Sequence, residues 1–178
     1  MNRILVLGGP GAGKSTFARE IGALLGLKVV HLDVLNFHPG WIETDTEVFR
    51  ARIEEAISGG RWVTDGNYVG KTADLRLARA DAIIWLDQPR RLRMARAIRR
   101  TLRRSQRPDM AEGCAERLNW TFLSYAWTFD RKKKESILGR VRKMAPHIPV
   151  TYLRGDREIS SFLADISRQR KSGAKVSD

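Results

Sequence analysis

Eight residues near the start of the chain, Gly8-Gly9-Pro10-Gly11-Ala12-Gly13-Lys14-Ser15, constrain it more than any other feature. They match the pattern G-x-x-x-x-G-K-[ST] in full, and they join two different periodicities. Ahead of them, residues 3–7 form a short apolar run that reads as a buried strand. Behind them, residues 14–25 place Phe17, Ile21, Leu24 and Leu25 on one helical face, and Gly26 supplies the stop. A strand, a glycine turn and a helix in that order aim backbone N–H groups and a positive helix end at one point, where an anion belongs. Gly9, Pro10, Gly11, Ala12 and Gly13 are expected to wrap phosphate oxygens. Lys14 is expected at the β- and γ-phosphates, the Ser15 hydroxyl on Mg²⁺, and Thr16 near the α-phosphate. A nucleoside triphosphate with Mg²⁺ is the ligand this loop predicts.

The rest of the chain alternates in the same way. Residues 28–32 read as a second strand ending at Asp33. Thr44 with Glu47 fits a capping box, followed by a helix that buries Phe49, Ile53, Ala56 and Ile57. Residues 62–64 are a third strand ending at Asp65-Gly66, with a short helix expected around 73–79. Residues 82–86 are a fourth strand ending at Asp87. Helical pattern runs from Pro89 to about residue 104, breaks at 107–109, and resumes over 114–144. Residues 149–153 are a fifth strand before a final helix that buries Ile159, Phe162, Leu163 and Ile166. Alternating strands and helices predict an α/β protein of the P-loop NTPase fold: a five-stranded parallel sheet with helices on both faces. The expected organisation is a single domain over residues 1–170, a basic lid-like helical insertion at about 90–144, and a polar tail over 171–178.

Charge marks out the insertion. The 178 residues carry 33 Lys+Arg and 20 Asp+Glu, a net of +13. Residues 90–143 hold 17 of those cations and only 5 of the acids, so the remainder is nearly neutral. Such a segment suits phosphate or nucleic acid. One cysteine and three histidines without ligand spacing give neither a disulfide scaffold nor a zinc site. The absence of a long apolar stretch or leader pattern predicts a cytoplasmic protein with no membrane partner.

In a parallel α/β sheet, ligands bind beyond the carboxyl ends of the strands. Asp33, Asp65 and Asp87 would share that edge with the glycine loop. Asp65 is a candidate to hold Mg²⁺ together with Ser15, and Asp33 to orient or deprotonate an acceptor hydroxyl. Each also has a plain reading as a cap or turn residue, which suits Asp87 best. Arg96, Arg100, Arg103 and Arg107 form one helical stripe, placed to clamp a transferring phosphoryl group from a closing lid. Leu118, Phe122, Tyr125 and Phe129 have helical spacing and are expected in the core. Asp156, after Arg154-Gly155, is either a nucleotide contact or a helix cap.

Val63-Thr64-Asp65-Gly66, and residues 82–100 from the fourth strand into an arginine-bearing helix, resemble the adenylate kinases. His31-Leu32-Asp33, Pro39-Gly40-Trp41, Asp65-Gly66-Asn67-Tyr68 and Arg107-Pro108-Asp109-Met110 narrow the resemblance. They are similar to the small adenylate-kinase-related proteins often labelled "DNA topology modulation protein". The resemblance covers most of residues 1–165 and implies ATP, Mg²⁺ and phosphoryl transfer, with Arg96 and Arg100 as lid-entry arginines. It departs where adenylate kinases continue Asp-Gly with Phe-Pro-Arg, whose arginine binds the acceptor phosphate; here Asn67-Tyr68 follows. Asp33, Arg50, Asn67 and Arg76 are therefore the candidate acceptor contacts.

The expected activity is that of an ATP-dependent phosphotransferase acting on an unidentified small-molecule acceptor through a hydroxyl or phosphate. The alternatives are a P-loop protein associated with non-specific nucleic acid, as the DNA topology label suggests, and a nucleotide-binding switch with weak ATPase activity.

Overall fold

The computed structural model describes residues 1–103, 109–114 and 120–174; the side chains of residues 103, 121, 131, 173 and 174 lie outside that description. Five parallel strands form the centre: β1 (Arg3–Gly8), β2 (Lys28–His31), β5 (Trp62–Asp65), β6 (Ala82–Asp87) and β7 (Val150–Arg154), in the spatial order β2-β5-β1-β6-β7. The strands alternate their side chains across the sheet. Leu5 and Leu7 of β1 pack on one face with Phe49, Ile53, Phe129 and Leu138. Ile4 and Val6 pack on the other with Phe17, Ala18 and Ile21. The first face is covered by α3 (Thr46–Ala56), α4 (Val69–Leu77) and α7 (Glu135–Met144), the second by α1 (Lys14–Leu25) and α8 (Gly155–Ala174). This is the two-faced α/β sheet the alternation predicts. Among the described residues, no helix is long and apolar enough to cross a membrane.

Because every pairing is parallel, the carboxyl ends share one edge. Val6 and His31 both lie opposite Asp65, and Gly8 lies opposite Leu86. Between β2 and β5 the chain makes α2 (Leu32–Asn36), a hairpin of β3 (Phe37–His38) and β4 (Ile42–Glu43), and then α3. The second strand is thus shorter than expected: it stops at His31, and Asp33 sits in the first turn of α2 above the fully buried Leu32. The expected capping box moves by one residue. The Asp45 carboxylate caps α3 by accepting from the N–H groups of Glu47 and Val48 at 2.9 and 3.3 Å. Thr44 is instead buried, its hydroxyl engaged with the Leu35 carbonyl and Arg52.

The described residues of the basic segment are helical except over 109–114, so the helix expected from 114 is seen only from Trp120. The segment contains α5 (Arg90–Arg103), then α6 (Trp120–Phe129) running through a π-helical stretch, Asp130–Lys134, into α7. The wide stretch coincides with three ion pairs. Asp130 meets Arg93 and Arg90, and Lys134 donates to both oxygens of Asp87 at 2.8 and 3.0 Å. Asp87 is therefore the partner of a distant lysine and not a helix-start residue.

Candidate active site

The glycine run forms a closed loop between β1 and α1, shaped by Gly11 and Gly13 at φ 75° and 89°. Those left-handed values favour glycine. The loop also lies hard against α5. A Cβ on Gly9 would fall 1.8 Å from Nη1 of Arg93, and one on Gly11 would fall 2.3 Å from the Arg93 carbonyl oxygen. Asn67 ties the loop to the end of β5: its side-chain oxygen accepts from the Gly8 N–H at 3.2 Å, and its amide donates to the Gly8 carbonyl at 3.0 Å. Lys14 folds back to donate to the Gly9 carbonyl at 3.2 Å. Burial pushes the Lys14 ammonium below its ordinary pKa, and the charges of Asp33 and Asp65 oppose that.

Two cavities flank the loop. One, of about 500 Å³, is walled by Lys14, Ser15, Thr16, Asp33, Asp65 and Tyr68, among others. The second, of about 460 Å³, is walled by Gly11, Thr16, Arg96, Arg99, Arg100 and Asp156. Arg100 faces both.

In the first cavity, the Asp33 side chain is exposed on the wall, and the protein crowded around it displaces part of its water. That loss of water raises its pKa, while a hydrogen bond from Tyr68 and the Lys14 charge work the other way. The Tyr68 hydroxyl donates to Asp33 at 2.6 Å. Burial and the Asp33 charge push the Tyr68 pKa far above its usual range, so the group stays a donor. Asp65 is almost fully buried and accepts from His31 Nδ1 at 2.8 Å, which fixes the carboxylate at the strand end.

Arg76 and Arg50 do not reach the cavity. Arg76 is fully buried beneath the Asp65-Gly66-Asn67 turn and donates to the Gly66 and Asn67 carbonyls at 3.1 and 2.6 Å and to Thr72. Burial lowers its pKa to about 10, so it remains a cation. Arg50 forms a two-pronged pair with Asp74 at 2.9 and 2.6 Å and a bond to the Lys71 carbonyl. Both arginines are engaged by protein groups behind the cavity wall. Asn67 lines the cavity, but its polar atoms hold Gly8.

The lid arginines divide. Arg96 pairs with Asp156 at 2.6 Å, and Asp156 also accepts from Gln88 at 2.8 Å. Asp156 thus links α5 to the start of α8; it is Glu158 that accepts the N–H of Arg154 there. Arg100 lies 6.0 Å from the Phe122 ring centre. Arg103 ends α5, but its side chain, and all of Arg104, Arg107, Pro108 and Leu118, lie outside the described residues. Of the expected core aromatics, Phe129 is fully buried, whereas Phe122 and Tyr125 turn toward the first cavity. Helical spacing alone does not separate a core face from a cavity wall. Tyr68, Arg93, His31, Phe37 and Trp41 are site residues that sequence reasoning missed, although Trp41 and Tyr68 adjoin the Pro39-Gly40 and Gly66-Asn67 turns.

Among the described residues, no cluster of three or more His, Cys, Asp or Glu is built to hold a metal ion alone. Ser15 and Asp65 share the first cavity with Lys14, which suits a magnesium ion held mainly by nucleotide phosphates and water.

No family model matches the chain, and no curated protein sequence matches it. Solved structures do. A shikimate kinase from Acinetobacter baumannii in complex with shikimate superposes with a TM-score of 0.57 at 19% identity, covering 97% of this chain and 94% of that one. A gluconokinase from Sinorhizobium meliloti 1021 gives a TM-score of 0.51 at 17% identity, covering 97% of each chain. The chain has the P-loop NTPase fold. Nearly end-to-end coverage at such low identity shows a shared fold and nothing finer.

Proposed function

We propose that this protein is a MgATP-dependent phosphotransferase that moves the γ-phosphoryl group to a hydroxyl of a small acceptor. The observation that carries the reading is the meeting of Asp33 and Lys14 on one cavity at the lip of the P-loop. Nucleotide occupies the second cavity with its phosphates on the loop; Gly9 to Gly13 supply N–H donors and Thr16 sits beside the α-phosphate. Ser15 would hold Mg²⁺ and Asp65 its water, and the ion would supply charge neutralisation to the phosphates. Lys14, Arg100 and Arg96, once it leaves Asp156, stabilise the charge of the transferring group, and Arg103 follows on the same stripe. The acceptor oxygen attacks the γ-phosphorus, the bond from that phosphorus to the β,γ-bridging oxygen breaks, and ADP leaves. The acceptor proton passes to Asp33. A carboxylate with a raised pKa is better matched to that task than an ordinary one.

The fold neighbours, a shikimate kinase and a gluconokinase, support a small-molecule acceptor. The nucleic-acid reading loses ground because Arg90, Arg93 and Lys134 of the basic insertion are engaged by Asp130 and Asp87. The test is ADP formation from MgATP by the wild type and by Lys14→Ala. Loss of turnover and of ATP affinity in the variant is expected; unchanged turnover removes the assignment.

A further inference from the structure

The acceptor half of the first cavity is aromatic. Phe37, Trp41, Tyr68, Phe122 and Tyr125 contribute five aromatic side chains to its wall. Phe37 and Trp41 meet edge to face, with ring centres 5.1 Å apart, across the hairpin that overhangs the opening. Two of these residues stand in conformations that side chains resist. Trp41 at φ 66° and Tyr68 at φ 27° are the two non-glycine residues with positive φ among the described residues. Strain of this kind persists where surrounding structure enforces it, and it concentrates at ligand sites. The hairpin is enforced from behind. The Gly40 N–H bonds the Gly113 carbonyl, and the Cys114 thiol bonds the His38 carbonyl. Trp41 nevertheless remains 40% exposed, a large apolar surface held at the mouth of a cavity.

Charge on the same wall is balanced among the described residues. Asp33, Glu43, Asp65 and Asp109 line this cavity together with Lys14 and Arg100. Lys71 offsets Glu43 at 2.6 Å and Arg19 offsets Asp109 at 3.3 Å. The aromatic side chains are therefore what distinguishes this wall.

We infer that the acceptor is an alcohol carrying a flat aromatic ring, of the nucleoside type, and not a sugar acid. The ring stacks against Trp41 and its aromatic neighbours, and the hydroxyl points to Asp33. This rests on the phosphotransferase reading and adds the acceptor's chemical class to it. It sets the chain apart from its fold neighbours, whose names specify the carboxylic acids shikimate and gluconate.

The test is calorimetric binding to the full chain saturated with MgADP, so that the nucleotide cavity is filled. Thymidine and uridine are the ring alcohols; shikimate and D-gluconate are the anionic probes, and neither has an aromatic ring. Saturable binding of a ring alcohol is expected, with each anionic probe at least tenfold weaker. Trp41→Ala should weaken the ring alcohol about tenfold, in line with stacking on one aromatic face. Trp41→Phe should restore it. MgADP affinity, measured on each variant, reports that the fold is intact. The inference is overturned if an anionic probe binds as well as the best ring alcohol, if neither ring alcohol binds, or if Trp41→Ala leaves the affinity unchanged. Failure of the phosphotransferase reading looks different: the ring alcohol binds, but MgATP yields no phosphorylated product.

Discussion

The Tyr68 hydroxyl donates a 2.6 Å hydrogen bond to the Asp33 carboxylate, across the 35 residues that separate α2 from the turn after β5. The bond favours the charged form of Asp33, while enclosure favours the neutral form. On the proposed mechanism Asp33 must be ionised, so kcat/KM falls on the acid side through a pKa above the ordinary aspartate value. Tyr68→Phe removes the stabilising donor and moves that acid limb to higher pH. Asp33→Asn lowers kcat by roughly 10²–10⁴-fold, the range for a lost general base. A pH–rate profile of the three proteins checks both expectations; a limb that stays in place in Tyr68→Phe counts against Asp33 as the titrating group.

Gly11 tests the loop. Alanine there needs a left-handed backbone and places a methyl group 2.3 Å from the Arg93 carbonyl oxygen, which cannot swing away as a side chain would. Gly11→Ala should lower stability by about 1–3 kcal/mol and weaken MgATP binding together. Gly59→Ala is the control, since a Cβ there meets nothing within 4 Å. Equal melting temperatures and equal ATP affinities for the two variants would show that the loop is not packed as described.

The Arg93–Asp130 pair holds α5 to the π-helical stretch. Arg93 is 2% exposed and also donates to the Gln88 carbonyl. Asp130→Asn leaves the guanidinium buried with a weakened partner. The expected loss is about 2 kcal/mol in urea denaturation, below the roughly 3–5 kcal/mol of a fully buried pair because water reaches the exposed third of Asp130. No change in the urea midpoint would mean that solvent already carries the Arg93 charge.

Asp74 gives a pH prediction with a definite sign. The Arg50 hydrogen bond lowers its pKa from 3.8 to about 2. A carboxylate with a depressed folded pKa stabilises the fold above its unfolded value and loses that contribution as pH falls through the folded one. The melting-temperature difference between wild type and Asp74→Asn should therefore be constant at neutral pH, shrink below pH 3.8 and vanish near pH 2. The difference should be small, since the pair faces water. A difference that grows on acidification contradicts the pairing.

What the sequence discloses follows from the range of the forces involved. The strand of residues 3–7 and the stop at Gly26 are local patterns that appear as read, while the buried face of α1 keeps Phe17 and Ile21 but leaves Leu24 and Leu25 only partly buried. The hairpin of Phe37–His38 and Ile42–Glu43 has two residues in each strand, too few for any periodicity, and its register rests on residues 113 and 114 far along the chain. Arg50 and Arg76 illustrate a different loss. Sequence marks them as cations near a site, but Asp74 and the Gly66 and Asn67 carbonyls, brought close only by folding, decide where their charges go. The same holds for Lys134, whose partner Asp87 lies 47 residues away. The four-cation run from Arg131 to Lys134, which had no role by composition, thus has one in part.

The central claim is phosphoryl transfer from the P-loop to a hydroxyl positioned by Asp33. The measurement that reaches it most directly is single-turnover transfer from γ-labelled MgATP, with wild type and Asp33→Asn compared on the same hydroxyl acceptor. The account predicts label in a phosphomonoester of that acceptor with wild type, and bound but untransferred label with Asp33→Asn. Label released only as inorganic phosphate, or equal transfer by both proteins, would contradict it.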